Sequence, residues 1–304
     1  MITREELNKD IHEEIEYEEK KEKRKKVAKI IFKVLLIIFI TTLSFLLYNY
    51  HVTTRGLSVR EKRIIVNNIP DNFNGCKIIH FGDLHYGSNI FIDEVKTLVE
   101  KVNERKPDII VFTGDLIEEK YKIKNNEQEK LIKELSKLDA ELGKYAVSGD
   151  EDNSNFNTIL TQAGFTVLDN NYDLIYKDSN NPILITGLSN KNMDIKKAFN
   201  YYEDEKNNKE ITNILIMHEA DILDKVKDKY NVDIALSGGN LNGMIYIPKI
   251  GGLVTRKNAK KYTKEYYEVG NTKLFITSGV GTDNIGVRLF TRQGINFIRL
   301  AKKK

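Results

Sequence analysis

The sequence predicts an α/β protein, a layered strand-and-helix domain preceded by one membrane-spanning helix. Three observations lead there. An uncharged apolar run lies near the N-terminus, directly after a basic cluster. Short apolar runs of strand length then alternate with longer segments of helical period. Several of those apolar runs end in Gly-Asp or in a histidine. The 304 residues, 40% hydrophobic and 30% charged, suffice for one sizeable domain and are too apolar for a disordered chain.

Charge is unevenly placed. Residues 1–19 carry eight acidic and two basic side chains, residues 20–33 eight basic and one acidic, and the remainder 38 basic against 35 acidic. That near-neutral remainder lacks the basic footprint of a nucleic-acid binder, so no nucleic-acid partner is expected. A single cysteine, Cys76, excludes an intramolecular disulfide and a Cys-rich zinc cage.

The stretch Val34–Tyr48, VLLIIFITTLSFLLY, has no charge. As helix it spans only about 22 Å of a ~30 Å hydrocarbon core, so the anchor is read as residues 28–50. Lys29 and Lys33 then snorkel at one end, and Tyr48 and Tyr50 lie at the other interface. The Lys/Arg cluster stands on the N-terminal side alone. It predicts a single-pass cell-membrane protein with a cytosolic flank (1–27), an extracellular domain (51–304) and the bilayer itself as a partner. No A-x-A-like site follows the apolar run, which favours an uncleaved anchor over a signal peptide. Ile2, Leu7, Ile11 and Ile15 recur at near-helical spacing in the flank, which would allow a short amphipathic, partner-binding helix, but the flank is read as a solvated, charge-rich segment that frays and has no assigned role.

Beyond residue 50, buried strands are expected at Lys77–Phe81, Ile109–Thr113, Tyr145–Ser148, Ile183–Thr186, Asn213–Met217 and Ile234–Ser237. Helices are expected at Phe91–Lys106, Asn125–Leu138, Asn155–Ala163 and Asp221–Lys229. The last third reads as strand after strand: Met244–Ile247, Tyr266–Val269, Lys273–Thr277 and Ile295–Leu300. It predicts a second sheet made mostly of antiparallel hairpins.

Ligands of open α/β sheets gather at the carboxyl ends of strands. Four of the apolar runs end there in acid or imidazole: Gly82-Asp83-Leu84-His85, Gly114-Asp115, Gly149-Asp150-Glu151-Asp152, and His218. Carboxylate oxygen mixed with imidazole nitrogen suits a divalent cation, and the glycines let the backbone turn sharply beside it. One Gly-Asp is a common turn; four such endings in order predict a metal site.

The motif order resembles the calcineurin-like metallophosphoesterases, in particular their bacterial membrane-associated branch, over about residues 58–300. Their signature runs D-x-H, G-D, G-N-H-D, a lone H, and G-H-x-H. Asp83/His85, Gly114-Asp115, Gly149–Asp152, His218 and Ser237–Gly243 stand at those places. The resemblance implies a four-layer α/β/β/α sandwich with a two-metal site at the strand ends. It assigns Asp83, His85, Asp115 (bridging), Asp150 in place of an asparagine, and His218 as metal ligands.

The sequence departs from that pattern at three chemical positions. Gly239 and Leu241 replace both histidines of G-H-x-H, and Glu151 replaces the histidine that assists the leaving group. The remaining outward histidines, His51 and His80, cannot fill those places: His51 borders the anchor and His80 lies within a strand, where a buried structural role is expected. Losing nitrogen donors from each ion weakens a two-metal clamp, and a carboxylate beside a phosphate dianion turns attraction into repulsion. The surviving oxygen-rich set suits a single Mn²⁺, Mg²⁺ or Ca²⁺ better than paired ions. Asn240 and Asn242 are turn formers that can lend carbonyl oxygens, and Arg288 is read as a salt-bridge former that can also meet a phosphate.

The expected function is a catalytically impaired binding or scaffolding ectodomain with a phosphate-containing ligand. Its competitor is a divergent cell-surface phosphomonoesterase or phosphodiesterase in which Glu151 serves as the catalytic acid. No protein partner is legible.

Overall fold

The structure is a computed structural model describing residues 4–48, 56–239, 246–247, 251–252, 260–282, 288 and 291–303. The chain divides into two compact units, Met1–Asn49 and Tyr50–Lys304. The first contains one uninterrupted helix, α1 (Arg4–Tyr48), so the charged flank continues into the apolar segment without a break. From His12 to Tyr48 this helix is long and apolar enough to cross a membrane.

The second unit opens with β1 (Ser58–Val66), β2 (Lys77–Phe81), α2 (Ile92–Asn103), β3 (Ile109–Phe112), α3 (Asn125–Leu135), β4 (Lys144–Ala146), α4 (Ser154–Gln162) and β5 (Thr166–Val167). It continues with β6 (Asn171–Ile175), β7 (Ile183–Leu188), α5 (Ile195–Ala198), β8 (Asn213–Glu219) and β9 (Ile234–Gly238). After the short pair β10 (Tyr246–Ile247) and β11 (Gly251–Gly252) come β12 (Tyr266–Val269), β13 (Thr272–Ile276) and β14 (Gly294–Lys302).

Two six-stranded sheets result, ordered β1-β14-β2-β3-β4-β5 and β12-β13-β9-β8-β7-β6. Their facing surfaces enclose a core of Ile78, Ile109, Val111, Ile185, Ile214, Ile216, Leu236 and Ile298. Helices α2–α4 cover the outer face of the first sheet through Val95, Leu98, Leu131 and Ile159. Ala198, Phe199, Ile222 and Leu223, from α5 and neighbouring 3₁₀ turns, cover the second. The layers are therefore helix, sheet, sheet, helix. Strands buried on both faces read as unbroken apolar runs, which is why β2, β3, β7, β8 and β9 stood out in sequence.

The second sheet differs from the expectation. It is not a C-terminal set of antiparallel hairpins: β7, β8, β9 and β13 run parallel, and only the flanking strands β6 and β12 pair antiparallel. Strand β14 leaves that region to insert between β1 and β2 of the first sheet. Sequence adjacency suggested hairpins, whereas burial of both faces of β14 decided its partners. The expected helix at Asp221–Lys229 is a 3₁₀ segment, Ala220–Lys225. The strand expected at Met244–Ile247 is described only at Tyr246–Ile247, and Asn240, Leu241, Asn242 and His51 lie outside the described residues.

Candidate metal centre

Register brings the chemistry to one rim. Phe81 pairs with Phe112 and Met217 with Ser237, so β2 and β3, and likewise β8 and β9, end level. Just past β2 and β3 the backbone turns through the left-handed region at Asp83 (φ 51°), His85 (φ 44°) and Asp115 (φ 56°). Non-glycine residues held there cost about 1–3 kcal/mol each, strain that concentrates at functional sites. The two loops are laced together: Asp83 N–H donates to Gly114 O (2.9 Å) and His85 N–H to Asp115 O (3.0 Å).

Gly114 shows how little room remains. Its φ is +87°, and a Cβ there would lie 2.4 Å from Gly149 N. Gly114→Ala is expected to lower the thermal midpoint by about 6 °C or more, equivalent to roughly 3 kcal/mol. Differential scanning calorimetry of the full chain checks this, and an unchanged midpoint would contradict the packing.

Three groups of ligand-type atoms form here, each mutually within 4.8 Å: Asp83/His85/Asp115, Asp115/Asp150/His218 and His85/Glu118/Glu151. Asp83, His85, Asp115 and His218 are buried, while Asp150 is exposed. Asp115 joins the first two groups through Oδ2, which lies 3.7 Å from His85 Nε2 and 3.2 Å from His218 Nε2. Asp150 Oδ1 is 3.1 Å from the same His218 nitrogen.

The far nitrogens fix both rings. His218 Nδ1–H donates to the Thr113 carbonyl (2.6 Å) and His85 Nδ1–H donates to Glu118 Oε2 (3.1 Å). That leaves each Nε2 directed at carboxylates, buried and without a hydrogen bond. Two orphaned imidazole nitrogens facing one shared carboxylate fit a divalent cation, and backbone or carboxylate partners on the opposite nitrogen are the usual way of orienting such ligands. The electrostatics agree. Burial alone would push His85 down, but Glu118 and Glu151 on its Nδ1, with the charges of Asp115 and Asp83, lift it to about 10. His218 likewise rises well above its ordinary value, because Asp115 and Asp150 outweigh burial. The pocket thus favours positive charge where the two Nε2 atoms converge.

Glu151 faces the other side of His85, with Oε2 3.3 Å from Nδ1. Gly239 has a φ of +68°, donates its N–H to both carboxylate oxygens of Asp83 (3.0 and 3.2 Å), and would place a Cβ only 2.9 Å from His218 O.

Three residues support the site, of which Glu118 and Asp152 have no role in the sequence reading and Arg288 has a different one. Glu118, three positions after Asp115, orients His85 and belongs to no motif. Asp152 was quoted in a motif without a role. It accepts the N–H groups of Asp115, Leu116 and Gly149, each at 2.8 Å, stapling two loops together. Burial and the Asp115 charge push its carboxyl up to about 7 against those three hydrogen bonds. Arg288 is wholly buried and donates to the carbonyls of Ser278 (2.5 Å), Gly279 (3.3 Å) and Gly281. Gly281 N–H in turn donates to Asp83 O (2.7 Å), so this arginine anchors the loop that backs Asp83.

The profile of the calcineurin-like phosphoesterases matches residues 76–241, which span the rim just described. The chain belongs to that family. It is 30% identical over 261 residues to the uncharacterized metallophosphoesterase YkuE of Bacillus subtilis, covering 83% of this chain and 88% of that protein. A Danio rerio transmembrane protein with metallophosphoesterase domain is 22% identical, over 80% of this chain and 57% of its own length. The UDP-2,3-diacylglucosamine pyrophosphatase LpxG of Chlamydia muridarum is 26% identical, over 62% and 72%. Calcineurin-like phosphoesterases use divalent metal, and the groups around Asp115 are candidate ligands.

Proposed function

We propose that this metallophosphoesterase-family protein is anchored in the cell membrane by residues 28–50, N-terminus in the cytosol, and that domain 51–304 binds a phosphate-containing ligand outside the cell as a catalytically impaired binding or scaffolding module. Asp83, His85, Asp115, Asp150 and His218 are its metal ligands, and Mn²⁺, Mg²⁺ or Ca²⁺ suits their oxygen-rich chemistry. The buried group Asp83/His85/Asp115 favours one ion over two, because the second group depends on exposed Asp150. When bound, the cation offsets the clustered carboxylates and can polarise a phosphoryl oxygen.

One observation carries the reading of impairment. Among the described residues of this domain every imidazole is already engaged: His85 by Glu118 and His218 by the Thr113 carbonyl, each also within a candidate ligand group, and His80 by Asn296 and Thr113. None remains to protonate a leaving group, and Glu151, standing at the family's histidine position, is turned onto His85 Nδ1.

A second reading, a divergent cell-surface phosphomonoesterase or phosphodiesterase with Glu151 as the catalytic acid, is favoured by the convergence of all five ligand residues. The name of the Chlamydia relative then suggests a phosphate carried on a lipid headgroup. The test uses the full chain in detergent micelles, with bound metal counted by plasma mass spectrometry. p-Nitrophenyl phosphate and bis-p-nitrophenyl phosphate are assayed with Mn²⁺ or Mg²⁺. Metal bound without turnover above the Asp83→Asn background is expected. Turnover abolished by Asp83→Asn would replace the first reading with the second, and absence of both metal and turnover would overturn both.

A further inference from the structure

A polar row crosses the apolar space between the two sheets just below the metal centre. Strand register aligns Arg60 of β1 with Asn296 of β14, Asn296 with His80 of β2, and His80 with Val111 of β3. The neighbours of His80 on this inner face, Ile78, Val111 and Ile298, are aliphatic core. His80 and Asn296 are themselves buried, so two polar side chains stand where packing alone would place apolar ones.

Their hydrogen bonds have a direction. Asn296 Nδ2–H donates to His80 Nδ1 (3.2 Å), which leaves Nε2 as the protonated nitrogen, donating to Thr113 Oγ1 (3.2 Å). The Thr113 hydroxyl then donates to Phe81 O (3.4 Å). Burial pushes His80 down to about 3, so the ring is neutral and holds this one-donor, one-acceptor arrangement. On the opposite side of the same residue, the Thr113 carbonyl accepts the 2.6 Å hydrogen bond from His218 Nδ1–H.

Thr113 also donates its backbone N–H to Phe81 O (3.0 Å), so its side chain supplies a second restraint. It follows the last residue of β3 and precedes Gly114 at φ +87°, so the 113–114 peptide, whose carbonyl orients His218, adjoins a residue with no Cβ to limit its rotation. Anchoring the Thr113 side chain sets which way that carbonyl points. We propose that His80 is a positioning residue for the metal centre: through Thr113 it fixes the carbonyl that aims His218 Nε2 at the cation. This rests on the reading of His218 as a metal ligand.

The test measures Mn²⁺ affinity of the full chain in detergent from the free-Mn²⁺ EPR signal. It also follows the downfield proton resonance of His218 Nδ1–H by NMR. The variants are His80→Leu/Asn296→Leu, Thr113→Val, their combination, and His80→Gln, whose amide offers a donor near the place of Nε2. Outer partners of metal-ligating histidines change affinity by about 10–100-fold. The leucine pair and Thr113→Val are each expected to weaken Mn²⁺ binding about tenfold and to shift the resonance. The combined variant should lose no more than the worse of the two, and His80→Gln should recover most of the affinity.

The metal-free thermal midpoint of the leucine pair is expected to equal or exceed that of the wild type, since replacing both buried partners with apolar groups is close to neutral. Affinity within twofold of wild type and an unmoved resonance, in the leucine pair or in near-isosteric Thr113→Val, would overturn the proposal and leave the row a satisfied piece of core. His218→Ala separates the two layers of inference. If it leaves Mn²⁺ binding intact, the ligand assignment fails and this proposal with it. If it abolishes binding while the His80 and Thr113 variants bind normally, the positioning role alone is wrong.

Discussion

Asp115→Asn is expected to abolish the thermal stabilisation that Mn²⁺ gives the wild-type chain. Two of the three groups of ligand-type atoms include Asp115, and its Oδ2 faces both imidazole Nε2 atoms, so no other single residue serves both of those groups. A cation at one hundred times its Kd stabilises the folded state by about 2.7 kcal/mol, which in a domain of this size corresponds to a midpoint shift of about 5–10 °C. Asparagine is the informative replacement. It tolerates the left-handed backbone at φ 56° and keeps an oxygen to accept the Glu151 N–H, now at 3.1 Å. What is lost is charge, and without Mn²⁺ the variant should melt below wild type because the Asp115 ion pairs with His85 and His218 are given up. Calorimetry with and without Mn²⁺ measures both, and a variant that Mn²⁺ still stabilises would place the cation elsewhere.

Arg288→Met is expected to be among the most damaging substitutions outside the ligand set. The guanidinium is fully buried and supplies donors to three loop carbonyls, and methionine fills much of the volume while supplying none. Leaving buried carbonyls unsatisfied costs about 1–3 kcal/mol each, so a loss of roughly 3 kcal/mol or more is expected, a midpoint fall of about 6–12 °C. Because Gly281 of that loop also donates to Asp83 O, Mn²⁺ affinity should fall as well. Arg288→Lys should recover only part of either, since one ammonium cannot reproduce the planar fork. A midpoint within about 2 °C of wild type in Arg288→Met would show that the loop holds itself. To the sequence reading of Arg288 as a salt-bridge former able to meet a phosphate, the structure adds three hydrogen bonds to backbone carbonyls.

Much of the molecule was legible because its signals are local. Buried parallel strands read as apolar runs, three of the four expected helices formed within a few residues of their expected bounds, and Gly-Asp endings marked where the backbone turns through left-handed geometry. Strands β1 and β6 were less legible. Both are edge strands with mixed burial, so their residues form no continuous apolar run. The supporting shell was illegible for another reason. Glu118, Asp152, His80 and Thr113 act on residues that chain-distant loops bring to them: Thr113 meets His218 across 105 positions and Asn296 meets His80 across 216. Nothing in the local pattern of either partner encodes such a meeting.

The sequence by itself determined an α/β chain with an N-terminal helix long enough for a membrane, strand ends carrying acid and imidazole, and the absence of imidazole at positions 151, 239 and 241. Those are properties of composition, period and turn chemistry, which neighbouring residues settle among themselves. Only the tertiary structure decided which sheet each strand joined, that Asp115 links two candidate ligand groups, and that Glu118 and Thr113 orient the two histidines. These follow from burying two sheets against each other, a contest among contacts from the whole chain that no single segment resolves alone.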